Sequence, residues 1–262
     1  MAEMDVVHIF FYSNFLLRMR CKNDKITKGF YILPYILFIF STLAFNGLYA
    51  QNTVFPIIKT HKQYKLQVQD DSLKQMVELK SLAPGIVYDL RYTTTNNFTG
   101  KRLYTNTVHT FMRKPAAEAL SKIQKELNEK GLGLKIFDAY RPYYATVKMW
   151  DLIKDERYVA DPKKGSGHNR GLAVDLTIIN MKDGNELNMG TGFDNFTDTA
   201  HHAFTALPQE ILQNRLLLKN IMEKYGFTLV ETEWWHYNWP NDRKYDVMNI
   251  GFDKFLEKKN NN

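Results

Sequence analysis

Ser166-Gly167-His168-Asn169-Arg170-Gly171-Leu172-Ala173-Val174-Asp175-Leu176-Thr177-Ile178 is the stretch on which the reading of this chain turns. Leu172 to Ile178 is an apolar, β-rich run and reads as a strand, yet it carries a carboxylate in its middle. A charge in such a place must be paired or must bind a metal. Standing alone, Asp175 would be read as a strand carboxylate paired with Arg170. Outward from this strand, Ile86–Tyr92 and Leu132–Asp138 read as further strands, as does Phe227–Val230 leading into Glu233–His236. Pro115–Lys130, with Leu120, Ile123 and Leu127 at helical spacing, predicts a helix closed by Gly131. Pro142–Ile153 and Pro208–Tyr225 predict two more, the last closed by Gly226. Strands and helices interleave too irregularly for a doubly wound parallel sheet. The expectation is a single α+β domain, with a mainly antiparallel sheet and helices packed on it.

The second constellation is Glu233-Trp234-Trp235-His236. Together with His168 and Asp175 it makes two imidazoles, one ligating carboxylate and one spare carboxylate, the parts of a hydrolytic zinc site. Period-two alternation along a plain strand would send Glu233 and His236 to opposite sides. A bend is therefore required if histidine is to hold the metal while glutamate reaches the attacking water. Trp234 and Trp235 could wall the pocket or pack in the core, and at least one is read as core.

Composition narrows the field. The chain has 262 residues, 44% of them hydrophobic and 14% aromatic, enough for one well-packed domain and an extra segment. Its net charge of +7 comes from Lys and Arg spread along the sequence rather than from a basic run interleaved with aromatics. No nucleic-acid partner is expected on that pattern. Arg18, Arg20, Lys22, Lys25 and Lys28 precede an uncharged stretch from Gly29 to Thr53 that passes Leu48-Tyr49-Ala50. Residues 1–50 are read as a signal peptide cut after Ala50, with an uncleaved membrane anchor as the alternative because the run approaches the ~20 residues of a span. The one cysteine, Cys21, lies in that segment, so ligands must come from His, Asp and Glu. Residues 51–80 read as an irregular lead-in, 81–257 as the zinc domain and 258–262 as a disordered tail. Adjacent His201 and His202 diverge too much to share one ion and are read as structural; His8, His61 and His109 have no partner pattern.

Taken together, Ser166-x-His168-x-x-Gly171-x-Ala173-x-Asp175 and Glu233-x-x-His236 resemble the zinc D,D-peptidase superfamily. Val87–Tyr92, Asn96–Gly100, Asp138–Pro142 and Met189–Asp194, with Trp234 directly after the glutamate, are similar to its D-alanyl-D-alanine dipeptidase branch. The resemblance spans roughly residues 80–250 and implies a hedgehog/D,D-peptidase-like fold. It implies His168, Asp175 and His236 as ligands of one zinc ion, Glu233 as general base, and Arg141 as the cation that stabilises the oxyanion. Ser166, Asp194 and Tyr88, with Tyr92, are implied more weakly as substrate contacts. The expected substrate is the small D-Ala-D-Ala dipeptide, with a D,D-carboxypeptidase acting on stem peptides and a non-catalytic wall-binding module as alternatives. Resistance dipeptidases of this family work in the cytoplasm, whereas the export signal here points to a periplasmic or secreted enzyme of cell-wall peptide breakdown, with no membrane partner beyond that signal.

Overall fold

The structure, a computed structural model, describes residues 55–256. The expected signal segment 1–50 and the tail 258–262 lie outside the described residues. Among the described residues no helix is long and apolar enough to cross a membrane.

The centre of the molecule is a five-stranded sheet. In chain order its strands are β3 (Val87–Tyr88), β5 (Leu132–Asp138), β6 (Ala173–Asn180), β7 (Thr228–Val230) and β8 (Glu233–Asn238). They lie side by side in the order β3-β5-β6-β8-β7, antiparallel throughout except for the parallel β3–β5 pair. The architecture is α+β with a mainly antiparallel sheet. Helices α3 (Lys114–Asn128) and α6 (Gln209–Lys224) cover one face. Leu120 and Ile123 of α3 and Leu218 and Met222 of α6 join Leu134, Ile136, Val174, Leu176 and Ile178 in one apolar cluster. Alternation along β6 then turns Asp175 and Thr177 to the other face, which carries the site.

A second cluster, with Tyr64, Met76, Phe111, Tyr140, Met149, Phe252 and Phe255, backs that face. It is built from α4 (Tyr143–Leu152), a small β2–β4 sheet (Met76–Glu78 and Phe111–Arg113) beside α2 (Leu79–Leu82), and the lead-in. The lead-in is not irregular. It forms β1 (Ile57–Ile58), parallel to β9 (Val247–Met248), and α1 (His61–Asp70). Helix α1 starts at a capping box: Thr60 Oγ1 accepts from Gln63 N–H while Gln63 Oε1 accepts from Thr60 N–H, satisfying end groups that would lack partners. Only Tyr64 of this helix is buried, so the hydrophobic period that exposes other helices to sequence reading is missing.

The expected strand 86–92 stops early. After Tyr88 one more ladder bond, Asp89 N–H to Ile136 O, holds the chain to β5. The chain then coils into a single 3₁₀ turn, Arg91–Thr93. The turn drives Tyr92 under the site, where it is almost fully buried, and leaves Tyr88 behind on the sheet edge.

Candidate active site

Cross-strand register assembles the centre. Asp138 on β5 is the partner of Asp175 on β6, and Asp175 is the partner of His236 on β8. Directly opposed residues put their side chains on one face, so three neighbouring strands deliver a row of Asp, Asp and His. A register shift after Ile136 brings Asp138 into this row. A second shift, between Leu229 and Val230, bulges β8 against β7. That bulge is the bend the chemistry required: Glu233 Oε2 and His236 Nδ1 lie 3.4 Å apart.

His168 comes from α5 (Gly167–Arg170), a single turn set before β6. Ser166 starts the turn: its Oγ accepts from His168 N–H at 3.2 Å and its own N–H donates to Asn169 Oδ1 at 3.1 Å. Gly171 ends it at φ +71°, a left-handed conformation that disfavours any side chain. At Gly167 a Cβ would sit 2.5 Å from Asn238 Oδ1 and 2.9 Å from Ala173 Cβ. Buried Arg113 fastens the turn from behind, its N–H donating to Gly171 O and its Nε to Arg170 O.

The three donor groups of His168, Asp175 and His236 lie within 4.8 Å of one another. Their outer hydrogen bonds fix which atoms face inward. His168 Nδ1 is 2.7 Å from Ala139 O, a partner that can only accept, so the proton sits on Nδ1 and Nε2 offers a lone pair. His236 Nε2 lies 3.3 Å from Asn238 Oδ1, which leaves Nδ1 as the inward atom. Nδ1 of His236 is 3.0 Å from Asp175 Oδ1, yet that buried oxygen makes no hydrogen bond. An imidazole nitrogen and a carboxylate oxygen converging at this distance outside hydrogen-bond geometry are the arrangement of donors around a cation. Two imidazoles and a carboxylate suit a divalent metal with an open fourth position. Burial opposes ionisation of Asp175, but His168 and His236 outweigh it and hold its carboxyl below the usual range. Arg170 is not its partner; it stacks on Phe55, 5.2 Å from the ring centre, and donates to Ser166 O and Lys164 O.

Glu233 is almost fully buried, and burial pushes its pKa up to about 8, against the opposing pull of His236 and with Asp175 and Asp194 adding repulsion. Arg141 donates from Nε to Asp138 Oδ2 at 2.7 Å, and its Nη2 lies 3.6 Å from Asp175 Oδ2. Its guanidinium also covers the Tyr92 ring, 4.8 Å from the centre. Desolvation disfavours its charge, but Asp138, Tyr92 and Asp175 prevail and keep it cationic. Tyr92 donates to Asp194 Oδ1 at 2.8 Å, while buried Asp194 Oδ2 has no partner. Burial raises Asp194 to about 7 despite the Tyr92 bond. Its backbone, at φ +61°, is left-handed.

These groups line a cavity of about 240 Å³ that contains Ser166, His168, Asp175, Asp194, Glu233 and His236, with Arg141, Tyr92 and Trp235 in its wall. A larger open depression of about 840 Å³ between α1 and the Asp253–Leu256 turn holds no comparable constellation. Tyr88 is a correction: it is not in the cavity wall, and its hydroxyl donates to Glu78 Oε1 and accepts from Lys80 N–H. Trp234 is a core residue whose Nε1 donates to Thr191 Oγ1, leaving Trp235 at the cavity. His201 and His202 lie outside the cavity, with His201 near Asp198 and His202 against Tyr237. Sequence reasoning gave no role to Asp138 and Asn238. A carboxylate three positions before Arg141 was the available signal for the first.

Comparison with known proteins gives the family. The family model described as D-ala-D-ala dipeptidase matches residues 72–255. The D-alanyl-D-alanine dipeptidase of Escherichia coli (strain K12) is 36% identical, over 70% of this chain and 93% of that protein. The enzyme of the same name from Enterococcus faecium is 32% identical, over 61% of this chain and 88% of its own. That from Streptomyces coelicolor is 31% identical, over 60% and 87%. With its match running from the β2 segment to the last turn, the chain belongs to the D-Ala-D-Ala dipeptidase family of peptidases.

Proposed function

We propose that this protein hydrolyses the D-alanyl-D-alanine dipeptide with one zinc ion per chain, outside the cytoplasm, in the breakdown or recycling of cell-wall peptide. The observation that carries the reading is the convergence of His168, Asp175 and His236 beside the buried Glu233. Those three side chains would hold the zinc. When bound, the ion supplies Lewis-acid polarisation of the scissile carbonyl and acidifies water in the open position.

The chain's own groups do the rest. Glu233 takes a proton from the attacking water and later gives it to the departing amine; its Oε2, 3.4 Å from His236 Nδ1, lies beside the ligand group where that water would sit. Arg141, fixed by Asp138, presents a permanent cation to the oxyanion without having to reorganise. Asp194 accepts the substrate's ammonium, a role supported by its Oδ2, which is buried and makes no hydrogen bond. Ser166 Oγ, which accepts from a backbone N–H, keeps its own proton to donate to substrate. The small cavity suits a dipeptide, and the names of the relatives support this particular one. Export rests on the basic flank followed by the uncharged stretch Gly29–Thr53.

The test is to incubate the purified full chain with D-Ala-D-Ala and with a peptidoglycan stem pentapeptide, and to measure its metal content. Release of D-alanine from the dipeptide by protein carrying about one zinc per chain is expected. Cleavage of the pentapeptide alone would overturn the substrate assignment, and full activity in metal-free protein would overturn the mechanism.

A further inference from the structure

We infer that Arg157 is the cation that reads the substrate's free carboxylate, so that the cavity selects peptides ending at the residue after the scissile bond. This rests on the dipeptidase reading above. A dipeptide at neutral pH carries an ammonium and a carboxylate, and burying either in a cavity needs a partner of opposite charge. Besides the two ligand imidazoles, the cationic groups in the cavity wall are Arg141 and Arg157. Arg141 is occupied: its Nε is on Asp138, its Nη1 is 3.0 Å from Met149 Sδ, and its Nη2 faces Asp175. Arg157 is not. Its side chain is 66% exposed on the open side of the cavity.

Its guanidinium is nevertheless oriented. Asp155 takes Nε at 3.0 and 3.1 Å and Nη2 at 2.6 Å, while Nη1 makes no hydrogen bond within the described residues. A planar fork held along one edge presents its remaining donors in a fixed direction, the geometry that favours carboxylate recognition. The backbone is fixed as well. Arg157 O accepts from Thr232 Oγ1 at 3.1 Å, which ties this loop to the residue just before Glu233. The neighbouring Tyr158 packs on Phe196 at 4.7 Å between ring centres. Glu156, the acid beside Arg157 in the same wall, is paired with Lys164, so it does not claim the guanidinium.

The test compares Arg157→Gln and Arg157→Lys with the unaltered protein on D-Ala-D-Ala and on D-alanyl-D-alaninamide, whose terminus is uncharged. In Arg157→Gln the KM for the dipeptide should rise about 10- to 100-fold, as for a lost charged hydrogen bond, with a much smaller change in kcat. The preference for dipeptide over amide should collapse by the same factor. Arg157→Lys should recover part of the preference, since it keeps the charge without the fork. An unchanged preference in Arg157→Gln, or a loss that falls equally on both substrates, overturns the inference and leaves the dipeptidase reading intact. Failure of the unaltered protein to cleave either substrate overturns that reading itself, and the inference with it.

Discussion

Asp138 and Asp175 face one another across β5 and β6, two buried carboxylates kept apart in role by one guanidinium. Arg141 donates to Asp138 at 2.7 Å but only approaches Asp175 at 3.6 Å. Tyr104 donates to the other Asp138 oxygen at 2.8 Å, so both Asp138 oxygens have a donor while Asp175 keeps Oδ1 open toward the imidazoles. Burial raises the pKa of Asp138 against the pull of Arg141 and His168, whereas that of Asp175 is lowered. One carboxylate aims the arginine; the other is left for a cation.

Asp138→Asn keeps the shape and removes the charge that aims Arg141. A drop of about 10- to 100-fold in kcat is expected, the usual cost of losing a group that orients an active-site residue, with metal content preserved. Steady-state kinetics and metal analysis of the same preparation check it. A variant of full activity would show that Arg141 orients itself.

Glu233→Gln should lower kcat by about 10²–10⁴-fold, the range of a general base, while leaving zinc stoichiometry unchanged. It should also alter the pH dependence of stability in chelator-treated protein. The pKa of Glu233 is raised from the usual 4.5 to about 8 in the folded state. Below about 4.5 both states hold the proton. As pH rises from there, the unfolded chain releases its proton first, and folding loses stability until the folded pKa is passed. The unaltered protein should therefore lose Tm relative to Glu233→Gln between about pH 4.5 and 8, with a constant gap above that. Thermal melts of both proteins at pH 4, 6 and 8.5 measure the gap, and equal curves would sink the burial argument for Glu233.

Zinc affinity should strengthen with pH. Desolvation disfavours the charged form of His236, but Asp175 and then Glu233 overcome it and raise its pKa. The ring must shed that proton before Nδ1 can bind a metal. Competition against a chelating dye at pH 6 and pH 8 should give clearly tighter binding at pH 8. An affinity that does not change with pH would exclude His236 as a ligand.

The candidate ligand set was legible in the sequence because each member sits in a short local pattern: a glycine-bounded turn for His168, an apolar strand interrupted by Asp175, a carboxylate three positions before His236. The helices α3 and α6 and the strands β5 and β6 were legible for the same reason, through period and punctuation. What escaped notice depends on register. Nothing local indicates that Asp138 will face Asp175, because the pairing passes through a bulge after Ile136. Tyr88 and Tyr92 would share a face on an unbroken strand, but the turn at Arg91–Thr93 separates them and only Tyr92 reaches Asp194. In the lead-in, the strand β1 is two residues long and α1 buries a single side chain, so neither had an apolar pattern to read. The Thr60–Gln63 capping pair was the one visible sign of α1.

Helix α1 lies before the family match, which begins at residue 72. Tyr64 is the attachment. Its ring meets Phe255 edge-on at 5.1 Å, and its buried hydroxyl accepts the N–H of Met76 at 2.8 Å, at the start of β2. Tyr64→Phe would keep the ring and strand that N–H without a partner, a loss of about 1–3 kcal/mol. At ~2–4 °C per kcal/mol for a domain of this size, Tm should fall by several degrees. The site lies on the sheet face, and Tyr64 is not among the residues lining its cavity, so kcat on the dipeptide below the transition should stay that of the unaltered protein. A fall in kcat at unchanged Tm would instead make the lead-in a part of the catalytic apparatus.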